Sequence, residues 1–251
     1  MTALLLRLSG PLESWGTHST WNERDTESVP TRSGLIGLIA AAHGQPRTDS
    51  LDDYRPLRFH VRIDRPGTPL VDFHTVGGGR GAGQTVPTAS GKYRAEGKGT
   101  LVSRRHYLAD AVFTVAVSST DPDLLDRIDT ALRRPHWAGY LGRRSCPPDG
   151  PLVLARVDEP LVWLHERLPL CRPRHNGDDT VGVDFATDQQ PEHHDERIDE
   201  PPDDPVSFDP IHRSYRTRAV YRYRRNLPAS LCAGYGIDYL DALTAVLETH
   251  T

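Results

Sequence analysis

Cysteine is scarce in this chain, with Cys146, Cys171 and Cys232 the only three in 251 residues. Their wide spacing fits neither a disulfide framework nor a zinc site, so the expectation is a reduced protein without a bound metal. Long apolar runs are also missing. No stretch of ~18 apolar residues exists, which excludes a helix that crosses a membrane. The leucines at 4–6 meet Arg7 too early to form a secretory signal core. Together these absences predict a cytoplasmic protein. Lysine occurs only at 92 and 98, so arginine carries almost all of the positive charge. There is no Walker loop, HExxH, Ser–His–Asp spacing or dinucleotide fingerprint, so neither a cofactor nor familiar hydrolase chemistry is expected.

The chain is rich in residues that break regular structure, with 21 Gly and 21 Pro, and 37% of it is hydrophobic. That is enough for one core, but it leaves long loops. The formal charge of −4 is unevenly spread. Residues 176–210 hold twelve acidic residues and one basic residue, Arg197, which leaves 29 basic and 22 acidic residues elsewhere. A positive body with a separate acidic segment is compatible with RNA.

Leu4–Leu8 reads as a buried strand. A helix capped by Thr31 or Ser33 runs to His43 and is stopped by Gly44 and Pro46. Leu57–Asp64 alternates, which predicts a half-buried strand with Phe59, Val61 and Ile63 inward and Arg58, His60, Arg62 and Asp64 outward. Leu70–Thr75 reads as a short strand or hairpin arm. Residues 77–100 hold eight glycines and no apolar period, which marks a long polar insertion, taken here as 76–106. Tyr107–Ser118 reads as one long strand, 121–134 as a helix and Leu152–Val157 as a strand that Leu161–Leu164 extends or follows. The order strand, helix, strand, strand, helix, strand predicts an α+β fold of ferredoxin-like or RRM type, with an antiparallel sheet and two helices on one face. Residues 1–165 would form this domain. Residues 166–251 would be a C-terminal extension with an acidic loop at 176–210, a late strand near 214–225 and a short terminal helix.

Each candidate motif has a functional and a structural reading. In GPLESWG (10–16), Trp15 could stack on a base or cover the sheet end. In PTRSG (30–34), the amides of a helix start, the hydroxyls of Thr31 and Ser33 and the fork of Arg32 could hold a phosphate; plain capping is the alternative. In LGRRSCP (141–147), Arg143 and Arg144 are adjacent and should face different partners, with Ser145 beside them. The insertion and its flank carry Lys98, Arg104, Arg105 and His106, an electrostatic grip or a solvated loop. His106 as acid or base, with Lys98 stabilising charge, would make an endoribonuclease. His193 and His194 lie among Glu192, Asp195 and Glu196 without the spacing of a metal site.

The segments LLLRLSGPLESWG, PTRSGLIGLIAAAHG, DFHTV, YLADAVFTVAV and YLGRRSCP, in that order over residues 4–147, resemble the type I-E Cascade branch of the fifth Cas family, within the RAMP superfamily. A weaker echo lies at Arg213–Tyr223; residues 165–210 and those after Asn226 share little. The resemblance implies a ferredoxin-like body with a protruding β-hairpin thumb. It also implies a non-catalytic subunit of a surveillance complex in antiviral defence, one that caps the 5′ handle of the crRNA and contacts the backbone and large subunits. Target DNA would be met only through the assembled complex. Type I-C relatives cut precursor RNA themselves, whereas in type I-E a separate subunit does so.

Overall fold

The computed structural model describes residues 2–18, 22–81, 83–88, 90–97, 99–174, 177, 179–191 and 197–249. Lys98 and the acidic stretch around His193 and His194 lie outside the described residues. The fold is mixed α+β. Strand β1 (Thr2–Ser9) leads to helix α1 (Arg32–His43), then strands β2 (Arg58–Arg65), β3 (Thr68–Val76), β4 (Leu101–Ala109) and β5 (Val112–Ser118). Helix α2 (Pro122–Arg133) and strand β6 (Val153–Asp158) follow. The C-terminal part supplies β7 (Thr180–Thr187), β8 (Arg197–Asp199), β9 (Val220–Pro228) and helix α3 (Gly236–Glu248). No described helix is long and apolar enough to cross a membrane.

A seven-stranded sheet runs in the order β8-β9-β7-β2-β5-β1-β6, with every neighbouring pair antiparallel. Both of its faces are covered. Leu4, Leu6 and Leu8 pack with Leu35, Ile36 and Ile39 of α1 and Leu124, Leu125 and Ile128 of α2. Ala3 and Leu5 point the other way, toward Trp163, Leu164, Phe185, Tyr239 and Leu243. Each fully buried leucine contributes roughly 1.5–3 kcal/mol relative to exposure. Helix α1 starts and stops as the sequence predicts. The Thr31 side chain accepts from the Gly34 amide, and Gly44 at φ 73 returns its own amide to the carbonyls of Ala40 and Ala41.

Four expectations are corrected. Strand β2 is buried on both faces, not one. Arg62 and Asp64 are fully buried and form a 2.6 Å ion pair, and Arg62 also donates to the carbonyls of Leu164, Leu168 and Pro169. The second face is covered by a segment a hundred residues downstream, which local alternation cannot reveal. The stretch 107–118 is two strands, because Asp110 at φ 57 turns the chain out of β4 and into β5. Residues 161–164 are helical, since Glu159 at φ 53 ends the strand and Pro160 starts a helical turn. Residues 176–210, expected as a loop, contain β7, which lies between β9 and β2. Val181, Val183 and Phe185 alternate there, a pattern submerged in the segment's acidic average.

Strands β3 and β4 form an antiparallel hairpin with Thr68 opposite Ala109 and Val76 opposite Leu101. Residues 101–106, read from sequence as part of the polar insertion, are therefore strand. The far edge of β4 takes up two short strands, Leu12–Glu13 antiparallel and Glu23–Arg24 parallel. The hairpin base is thereby tied to the loop that follows β1.

Candidate nucleic-acid interface

The three Gly-containing motifs converge, and they do so by packing on one another. The Ser14 amide donates to the Leu141 carbonyl at 3.1 Å. Gly142 sits at φ 84 against the Ser14 carbonyl, where a Cβ would collide with that oxygen. A Cβ on Gly34 would lie 2.7 Å from the Trp15 ring. Both glycines thus serve close approach within the protein. Trp15 is 1% exposed, and its Nε1 donates to the Glu13 carboxyl at 2.9 Å. It is a core residue, which corrects its reading as an exposed stacking platform; the GPLESWG stretch is too short and irregular to reveal which side faces inward. Burial, partly opposed by the Trp15 hydrogen bond, pushes the Glu13 pKa up to about 8.

Arg32 is corrected in the same way. Its side chain is 6% exposed, pairs with Asp188 at 3.1 Å and Asp204 at 3.0 Å, and donates to the carbonyls of Tyr54, Arg55 and Leu57. The helix start does attract an anion, but that anion belongs to the chain. Asp203, itself buried, accepts from the Arg32 amide at 2.8 Å and from Arg218 at 2.6 Å. Thr31 is buried and occupied as the cap, while Ser33 is half-buried and faces a cleft.

That cleft, about 1150 Å³ in volume, lies between one face of α1, the Ser14–Thr17 turn, the base of the hairpin, the 137–147 loop and the 202–215 segment. Six arginines line it: Arg24, Arg47, Arg105, Arg143, Arg144 and Arg213. No carboxylate lines it among the described residues. Arg143 and Arg144 both line it but differ in their contacts within the chain. Arg143 donates to the carbonyls of Arg24, Asp25 and His106 and lies 4.9 Å above the Tyr107 ring. Arg144 is exposed and makes no hydrogen bond or ion pair with another described residue. Ser145, beside it, lies 3.4 Å from the Tyr107 hydroxyl.

The basic run of β4 is split by strand alternation. Arg105 enters the cleft next to Arg24, its partner in the parallel pairing. Arg104 and His106 both reach Glu23, at 3.2 and 3.3 Å. Hydrogen bonding from His106, then from Arg104, holds the Glu23 carboxyl below its usual range. Local sequence offers no signal for Arg24, Arg47 and Trp137, whereas Arg213 and Tyr215 lie at the start of the Arg- and Tyr-rich run expected as a late strand, with nothing in that run to place them at this cleft.

A second, smaller cleft of about 350 Å³ shares Thr31 and Pro202 with the first, but it carries Glu27, Asp188, Asp199, Glu200 and Asp203. Its arginines are paired: Arg218 with Asp203, and Arg197 and Arg222 with Asp199. Nearby, His18, Asp25 and Glu27 converge, with ligand atoms within 4.8 Å of one another. Their hydrogen bonds to Thr17 and to the His18 amide account for the convergence as loop closure.

Residues 3–221 match the model of a family described as CRISPR-associated protein (Cas_Cas5). The chain is 38% identical over 165 residues to the "CRISPR system Cascade subunit CasD" of Escherichia coli (strain K12), covering 60% of this chain and 69% of that protein. A solved chain from a "CRISPR RNA-guided surveillance complex" is 47% identical with a TM-score of 0.88, covering 98% of this chain and 99% of that one. Another, described as "Crystal structure of Cas protein", is 29% identical with a TM-score of 0.62 over 93% of this chain and 98% of that one. Since the family match takes in the PTRSG and LGRRSCP motifs, the hairpin and most of the sheet, the chain belongs to the Cas_Cas5 family of CRISPR-associated proteins.

Proposed function

We propose that this chain is a non-catalytic, cytoplasmic Cascade subunit that holds the 5′ handle of the crRNA in the arginine-lined cleft. The observation that carries the reading is six arginines around one cleft with no carboxylate among its described lining residues. Such a surface attracts a phosphate chain and disfavours acidic protein. Ser33, Arg105 and Arg144 are the residues proposed to touch RNA there, with Arg143 holding the Gly142 turn in place. The sheet supports a ferredoxin-like RAMP body over 1–165. Its βαββαβ strands β1, β2, β5 and β6 lie in the order β6-β1-β5-β2, with the β3–β4 hairpin as the thumb. Residues 166–251 would be the extension that widens this sheet. Arg104 and His106, beside Glu23 on the other face of the hairpin, are proposed to face the thumb's partners, RNA or the backbone subunit, and Lys98 is proposed as a further RNA contact. The large subunit would lie against the same assembly, and target DNA would be met only through it.

The rival is a metal-independent endoribonuclease built on His106 and Lys98. Incubating the full chain with a CRISPR repeat RNA under chelation separates the two. The expected result is salt-sensitive binding without cleavage. Specific cleavage that disappears in His106→Ala would replace the scaffold reading with the nuclease.

A further inference from the structure

A phosphate-binding surface needs only charge, yet this cleft also presents aromatic rings. Trp137 is 47% exposed and Tyr215 is 38% exposed, and both line it. Each ring stands on a fixed base. The amides of His136 and Trp137 donate to the carbonyls of Ala42 and Ala41 at the end of α1, at 2.9 and 3.3 Å. The His136 ring then meets the Trp137 ring edge-on at 5.1 Å. Tyr215 lies on the short strand Ser214–Arg216, which pairs with Asp204–Ser207. Its neighbour Arg216 reaches back to Asp204 at 3.1 Å, inside the Arg32 network. Alternation along that strand turns Tyr215 the opposite way, into the cleft beside Arg213. Burial does not account for either ring, and no carboxylate is among the described residues that line the cleft around them.

At about 1150 Å³ the cleft is larger than the roughly 300–1,000 Å³ of a small-molecule site, which points to a segment of polymer. Arginines for phosphates and exposed rings for bases are the two components of a single-strand site. Unstacked RNA bases are held on aromatic faces and guanidinium planes. We infer that Trp137 and Tyr215 are base-stacking residues, and that the cleft holds splayed nucleotides of single-stranded RNA by their bases as well as by their phosphates. This rests on the RNA-binding reading above and reassigns stacking from the buried Trp15 to two rings that are free to stack.

The test uses the full chain, a fluorescein-labelled single-stranded RNA and an abasic ribose-phosphate chain of the same length. Trp137→Leu and Tyr215→Leu should each weaken RNA binding by between about fivefold and about a hundredfold. The dependence on salt should keep its slope, because no phosphate contact is lost. Affinity for the abasic chain should not change, and Trp137→Phe should retain most of the RNA binding. RNA should quench tryptophan emission in the wild type and much less in Trp137→Phe. Unchanged thermal midpoints would establish that the variants are folded. If both leucine variants bind RNA like the wild type, or lose affinity for the abasic chain by the same factor, the rings do not stack, although the cleft remains an RNA site. If the wild type binds neither chain, the RNA reading fails and the stacking inference with it.

Discussion

Arg32 and Arg144 come from the PTRSG and LGRRSCP motifs, and the fold gives them opposite surroundings. Arg32 is enclosed by Asp188, Asp204 and three backbone carbonyls, with Asp203 on its amide. Arg144 stands in a cleft without a carboxylate among the described lining residues. The same division separates the two clefts that share Thr31 and Pro202: the arginines of the smaller pair with aspartates, whereas those lining the larger form no ion pair among the described residues. An arginine that already has its anions is structural, because removing it strands buried charge. An arginine without one keeps its electrostatic attraction for a partner.

The largest expected effect follows from breaking the buried side. Arg32→Ala removes the guanidinium bonded to buried Asp188 and one of the two arginines on Asp204, while Asp203 keeps Arg218, at a cost of about 3–5 kcal/mol. Urea unfolding should show the midpoint falling, and any loss of RNA binding should track the loss of folded protein. A variant as stable as the wild type that nevertheless fails to bind RNA would place Arg32 at the interface and erase the contrast.

Arg144→Ala is the mirror experiment. Its stability should stay within about 0.5 kcal/mol of the wild type, as for an exposed residue without partners. RNA binding should weaken, and the log–log salt slope should lose about 0.7, the share of one single-strand phosphate contact. An unchanged slope would make Arg144 a solvated surface residue. It would then move the burden of the cleft onto Arg24, Arg47, Arg105 and Arg213.

Much of the frame was legible in the sequence because its signals are local. Thr31 and Gly44 bracket α1, and Leu124, Leu125 and Ile128 mark the inner face of α2. What stayed hidden depends on distant partners. Arg32 and Ser33 are adjacent, but successive helical residues are rotated by roughly 100°, so one turns inward and the other toward the cleft. Which one turns inward is decided by aspartates more than 150 residues away. Arg62 and Asp64 look like the solvent side of an alternating strand until residues 164–169 close over them. Strand β7 is hidden by the acidic average of 176–210, within which Val181, Val183 and Phe185 alternate. Trp137 carries no motif and Tyr215 sits in a run read only as a late strand, and only the assembled cleft brings them together.

The smallest expected effect tests whether acid is kept out of the basic side. Glu13 lies under the cleft floor, hydrogen-bonded to Trp15, and its pKa is raised from 4.5 to about 8 by burial. At neutral pH it is therefore uncharged in the folded chain but ionised in the unfolded one. Between pH 4.5 and about 8 the unfolded state has released a proton that the folded state keeps, so the Glu13 contribution to stability declines as pH rises. It is fully present below 4.5 and gone above about 8. Glu13→Gln keeps an acceptor for Trp15 and cannot ionise. The difference in unfolding midpoint between variant and wild type should therefore move steadily in favour of the variant as pH is raised through that window. A difference that does not change with pH would mean that Glu13 is ionised in the fold. A carboxylate would then lie beneath the cleft, and the contrast between the acidic and basic sides would rest on the exposed arginines alone.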